Sequence, residues 1–160
     1  MSKFATKASG NVWCEARYNA AKVNGRLSSR EGAAEELGID RSRLARIELD
    51  STVPYPEEVL LMADMYRAPE LKNHFCTEMC PLGKNMPKVD CSSLDRIGIK
   101  ALSSFRKVSE AKELLLDITE DGIVDESERE DLQKIITILD EVGSIAQSLK
   151  AWAEKNMQEG

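Results

Sequence analysis

The chain contains a single histidine, and aromatics make up only 5% of its residues. It also lacks a nucleophile elbow, a phosphate-binding glycine loop and a convincing acid and base pair, so nothing in it points to an enzyme. Long apolar runs are missing too. None approaches the roughly 20 residues that cross a bilayer, and the opening MSKFATKASG has no apolar signal core. A cytoplasmic protein with no membrane partner is the expectation. No β-branched alternating run occurs, which removes the main signature of strands. What remains is rich in Leu, Ala, Glu, Lys and Arg, with 42% hydrophobic and 31% charged residues, and predicts an all-α fold of one domain or two small ones.

The most informative stretch is Leu27 to Asp50, LSSREGAAEELGIDRSRLARIELD. Ser28 with Glu31 three residues on reads as a capping box, so a helix is expected from Ser29. Leu37 and Gly38 end it, because glycine takes the left-handed conformation that closes a helix, and Asp40 offers its carboxylate to cap a second helix from Arg41. Two short helices joined by a three-residue turn are a helix-turn-helix, whose second helix enters the DNA major groove. At 100° per residue, Leu44 and Ile47 face inward with Ile39. Ser42, Ala45 and Arg46 then project outward, flanked by Arg41 and Arg43. Arginine forks onto guanine or clamps phosphate, and serine bonds either. The plain alternative is a solvated basic face balanced by Glu48 and Asp50.

The net charge of −6 argues against a DNA binder, but the acid is unevenly spread. Residues 1–70 hold ten Lys or Arg against eleven Asp or Glu, and residues 71–160 hold twelve against seventeen. The field at a contact face decays over about 10 Å, so the local balance matters more than the sum.

Upstream, residues 11–23 form an expected first helix capped by Asn11 and closed by Asn24-Gly25. Its inner stripe is Val12, Ala16, Ala20 and Val23, with Trp13 and Tyr18 at the edges and Arg17, Lys22 and Arg26 outside. Downstream, Pro54 and Pro56 shape a loop. Glu57 and Glu58 open a helix in which Val59, Leu60, Met62, Ala63 and Tyr66 recur at helical spacing and close a five-helix bundle.

The segment from about Ala16 to Leu71 resembles the Cro/CI-type (XRE family) helix-turn-helix domain of bacterial and phage regulators. The likeness rests on Ala33-Ala34, Leu37-Gly38-Ile39, Arg41-Ser42, Leu44, Arg46-Ile47-Glu48, Pro56 with Glu58, and Leu61 with Ala63 and Tyr66. More narrowly, RLSSREGAAEELGI, YPEEVLLMADMYRAPELKNHFC and CPLGK resemble prophage and mobile-element regulators of Gram-positive bacteria with a helical C-terminal part. The resemblance implies a lambda-repressor-like domain over residues 1–71, a base-reading helix over Arg41 to Glu48, and a positioning helix starting at Ser29 and Arg30. One departure is Ala33, preceded by Gly32, where the family usually has leucine. The small residues suggest close helix approach.

Residues 72–93 read as a linker holding His74, Cys76, Cys80 and Cys91 among two prolines and a glycine. Four such side chains could ligate zinc, but the spacing is not a known zinc pattern and reduced thiols are the default in a cytosolic protein. From Ser93 the pattern becomes two long helices, a C-terminal hairpin over 94–160. Leu94, Ile97, Ala101, Leu102, Phe105, Val108, Ala111, Leu115 and Ile118 step along the first. Leu132, Ile135, Leu139, Val142, Ala146, Leu149 and Ala153 follow a heptad in the second, widened by Ile136, Ile145 and Trp152. The stripe is too broad for one partner helix, so a homodimer through this hairpin is expected. Between the helices, Asp117, Thr119, Asp121, Gly122, Val124, Asp125 and Glu128 fall on EF-hand calcium-loop positions. Threonine at the third position, the missing second hand and the ordinary Asp-Gly turn favour a connector.

These readings converge on a sequence-specific regulator of transcription, a repressor acting as a dimer on double-stranded DNA at a pseudo-palindromic operator. Ser42, Ala45 and Arg46 are assigned to base edges, Arg41 and Arg43 to bases or flanking phosphates, and Ser29 and Arg30 to phosphates. No cofactor or metal is required. The competing functions are an adaptor that binds protein through its acidic C-terminal helices, and a Ca²⁺- or Zn²⁺-responsive switch.

Overall fold

The computed structural model describes residues 8–91, 93–119 and 122–157, all helix, turn or irregular chain with no strand among them. They divide into two units between Met86 and Pro87.

In the first unit α1 (Val12–Ala20) starts where the Asn11 side chain accepts the Cys14 N–H at 2.8 Å. A short turn of 3-10 helix (Gly25–Ser28) leads to α2 (Arg30–Leu37). The helix cap is Ser29, whose hydroxyl accepts the Gly32 N–H at 3.1 Å, one residue later than the expected Ser28 box. Gly38 ends α2 at φ 65°, and the Asp40 carboxylate accepts the Arg43 N–H at 3.0 Å to open α3 (Arg41–Glu48). Pro56 stands in the first turn of α4 (Pro56–Met65), where its missing N–H costs nothing. Helix α5 (Glu70–His74) widens into a π turn over Phe75–Met79.

These five helices enclose one apolar core in which Leu27, Ala33, Leu44, Ile47, Met62 and Leu71 are almost wholly buried. Each of the larger side chains contributes about 1.5–3 kcal/mol by leaving water. Three expectations are corrected here. Trp13 lies in the centre of the core, where its ring meets His74 edge-on at 5.8 Å. Val23 falls beyond the end of α1 and is 87% exposed, and Leu60 points outward from α4. Residues 72–86 also do more than link. Phe75 and Met79 pack on the core, and Gly83 sits so close to Cys76 that a Cβ would come within 1.7 Å of its carbonyl oxygen.

The second unit is a hairpin of α6 (Leu94–Thr119) and α7 (Arg129–Asn156). Ile97, Ser104, Ala111 and Ile118, spaced by seven, are the buried row of α6. Around Ala111 and Ile118 pack Leu132, Ile135 and Ile138 of α7. The heptad of α7 is therefore turned from the expected one, since Ile138 and Ser148 take the inner positions while Leu139 and Leu149 stay exposed. Two serines decide this. Ser104 donates to Glu141 at 2.8 Å, and the Ser148 hydroxyl accepts the Asp90 N–H at 3.0 Å, so small polar groups allow close approach and find partners. Among the described residues, no helix is long and apolar enough to cross a membrane.

Candidate nucleic-acid interface

Helix α3 is fixed from within. Leu44 and Ile47 are fully buried, and Glu48, 0% exposed, anchors its last turn to two other elements. Arg17 of α1 donates to Glu48 from Nε at 2.5 Å and from Nη2 at 3.0 Å, while Nη1 reaches the Leu27 carbonyl at 2.8 Å. Arg30 of α2 adds Nε on the same carboxylate at 2.6 Å. Burial works against the charge of Arg17, but the hydrogen bonds and field of Glu48 more than offset it and hold its pKa above the ordinary arginine value. The nearby Cys14 thiol is pushed up to about 11, chiefly by burial and then by the Glu48 charge. It stays protonated and is a poor nucleophile at neutral pH. Arg17, expected outside, thus forms with Glu48 and Arg30 an internal brace tying α1 and α2 to α3.

With the inner face committed, Arg41, Ser42 and Arg46 are exposed on the outer face and Ala45 is half-buried beside them. Arg43 departs from its expected place on that surface. It turns toward α4, forks onto the Glu58 carboxylate from Nε and from Nη2 (the latter at 2.7 Å), and lies 4.0 Å from the centre of the Tyr55 ring. Glu58 is engaged further by the Tyr55 N–H at 2.7 Å. Burial disfavours its charge, yet Arg43 and that N–H outweigh burial and hold the carboxyl below the usual range. Ser29 is exposed with its oxygen capping α2, and Arg30 is half-buried on Glu48. Of the seven residues assigned to DNA, two cations and a hydroxyl on one turn and a half of α3 stand unobstructed. The other two arginines are already spent on carboxylates.

No family model matches the chain, and no curated protein or solved structure does either. The interface therefore rests on geometry. Sequence reading missed Arg17, Tyr55 and Glu58. Only the last pair had a local signal, a residue before a helix followed three positions later by glutamate.

The metal candidates are not gathered. Among the described residues no three His, Cys, Asp or Glu side chains come together as ligands, and none of the four cysteines forms a disulfide. In the acidic connector, α6 continues through Asp117 to Thr119, and Asp121 lies outside the described residues. Asp125 accepts the Ser127 and Glu128 N–H groups at 2.7 and 3.1 Å, and Glu128 accepts the Asp125 N–H at 3.1 Å. Those two carboxylates are used in a reciprocal cap ahead of α7, which is the structural role of such an acidic turn.

Proposed function

We propose that this chain is a cytoplasmic, sequence-specific DNA-binding regulator of the Cro/CI type (XRE family), in which α2, the turn at Gly38 to Asp40 and α3 serve as the helix-turn-helix. The observation that carries the reading is the division of α3. Leu44, Ile47 and Glu48 are locked inward, and Arg41, Ser42 and Arg46 project outward beside Ala45. A recognition helix needs this combination, because its side chains must enter the groove from a body that does not yield. Arg46 with Ser42 and Ala45 reads base edges, and Arg41 serves bases or flanking phosphate. The Ser29 hydroxyl lies at the start of α2, where phosphate contacts position the domain. Arg43 is assigned a bracing role through Glu58, and Arg30 a role shared between Glu48 and phosphate.

Two unobstructed arginines per chain give modest affinity, so the functional species is a homodimer on a two-fold symmetric operator, and its occupation of that operator represses transcription. A mobility-shift assay on genomic fragments at low salt tests this. A retarded fragment that is lost with Arg46→Ala supports it. No retarded fragment would favour the adaptor function.

A further inference from the structure

One flank of the hairpin seam is fully occupied. Lys107 pairs with Glu141 at 2.8 Å, and Lys100, seven residues earlier in α6, pairs with Asp90 at 2.9 Å. The Asp90 N–H reaches Ser148, seven residues beyond Glu141, and Ser144 donates to the Lys88 carbonyl at 3.2 Å. The segment 88–90 is thus strapped over that flank. The other flank carries Leu102, Phe105 and Leu116 on α6 and Ile136, Leu139 and Leu149 on α7, each between 43% and 67% exposed. The pairing of Lys107 with Glu141 fixes the strapped side of both helices, so these six side chains share the opposite face.

We propose that this face seats a second copy of the chain, with α6 of one copy on α7 of the other about a two-fold axis running along the helices. The six side chains expose on the order of 400 Å² of apolar surface. That is close to the apolar share of a standard interface of about 800 Å² per partner.

Charge selects the arrangement. Glu141 is level with Ser104 and Lys107, so Asp140 lies level with Arg106. Lys150, nine residues after Glu141, lies level with Asp95, nine before Ser104. Arg106, Asp140, Asp95 and Lys150 are exposed and form no ion pair among the described residues. Placing α6 on the partner's α7 brings Arg106 to Asp140 and Asp95 to Lys150, each twice by symmetry. Fully overlapped hairpins with α6 on α6 instead bring Arg106 to Arg106 and Asp140 to Asp140. Lys112 falls within this face with its ammonium 3.6 Å from the Glu113 carboxylate, and its long stem lets the head reach the rim when the face is covered.

This deepens the two-copy part of the proposed function and is tested without DNA, by sedimentation equilibrium and light scattering on the full chain. The expected mass is twice the 17.8 kDa of the chain. Arg106→Asp and Asp140→Arg should each raise the dimer dissociation constant about fivefold or more, and the double variant should recover to within about twofold. Leu139→Glu should give a monomer with unchanged far-ultraviolet dichroism. A wild-type chain that stays at 17.8 kDa up to about 100 µM overturns the proposal. So does a Leu139→Glu dimer, or charge swaps that have no effect or do not compensate. A dimer that retards no DNA leaves this inference standing and removes the DNA reading, and a monomer that retards DNA does the reverse.

Discussion

Arg17 and Glu48, 31 residues apart, meet in the first unit with Arg17 Nε 2.5 Å from Glu48 Oε1 and neither side chain more than 2% exposed. Removing Glu48 leaves Arg17 as a buried charge without compensation, which costs about 3–5 kcal/mol, whereas removing Arg17 leaves Glu48 paired with Arg30 alone and costs less. Glu48→Gln should lose that much in urea unfolding, and Arg17→Ala a smaller share of it. Replacing both by apolar residues of similar volume should recover most of it. A Glu48→Gln loss below about 1 kcal/mol would show the pair to be dispensable.

The glycines make a second contrast. A Cβ on Gly32 would lie 2.2 Å from the Arg26 carbonyl oxygen, a backbone atom, whereas a Cβ on Gly143 in α7 meets nothing within 4 Å. Gly32→Ala should cost about 1–3 kcal/mol through a forced backbone shift. Gly143→Ala should gain about 0.5–1 kcal/mol of helix propensity. Thermal unfolding of the two variants should therefore move in opposite directions. Shifts of the same sign would contradict the packing described at Gly32.

Acid should loosen the clamp between α3 and α4. The folded-state pKa of Glu58 is lowered. Its contribution is therefore complete above the unfolded value, about 4.3, and fades as pH falls through the folded value. The melting temperature of Glu58→Gln should lie well below wild type near neutral pH, with the gap closing on acidification toward pH 3. A constant gap across that range would mean that the Glu58 charge adds nothing.

Much of the first unit was legible because its signals are local. Asn11, Gly38, Asp40 and Pro56 act within a turn of themselves, and each marks an element boundary in the structure. The outward side of α3 followed from Leu44 and Ile47 by the helical period alone. Burial of charge was not legible, because Arg17 is drawn inside by a glutamate on another helix and nothing near it in sequence announces that partner. Arg43 was misplaced for the same reason, since Glu58 and Tyr55 compete for it from the next helix. In the hairpin, periodicity found both helices but favoured Leu139 and Leu149 over Ile138 and Ser148. Hydrophobicity alone cannot see that a serine bonded to Asp90 permits the closer approach.

Salt dependence reports how many cations the interface brings. With Arg30 and Arg41 from each of two copies meeting phosphate, Arg46 on bases and Arg43 held by Glu58, the slope of log affinity against log salt should be about −4. Arg43→Ala should leave the slope unchanged, whereas Arg41→Ala should make it shallower by about 1–2 for the dimer. A slope lowered equally by both variants would place Arg43 on the DNA.

The most direct test of the central claim is selection of bound DNA from a random pool, run in parallel with wild type and Arg46→Ala. Enrichment of a two-fold symmetric site by wild type, and a loss of roughly 1–3 kcal/mol on that site but not on random DNA for Arg46→Ala, is the predicted result. A wild-type chain that enriches no sequence at low salt, or an Arg46→Ala chain that selects the same site with the same affinity, would contradict it.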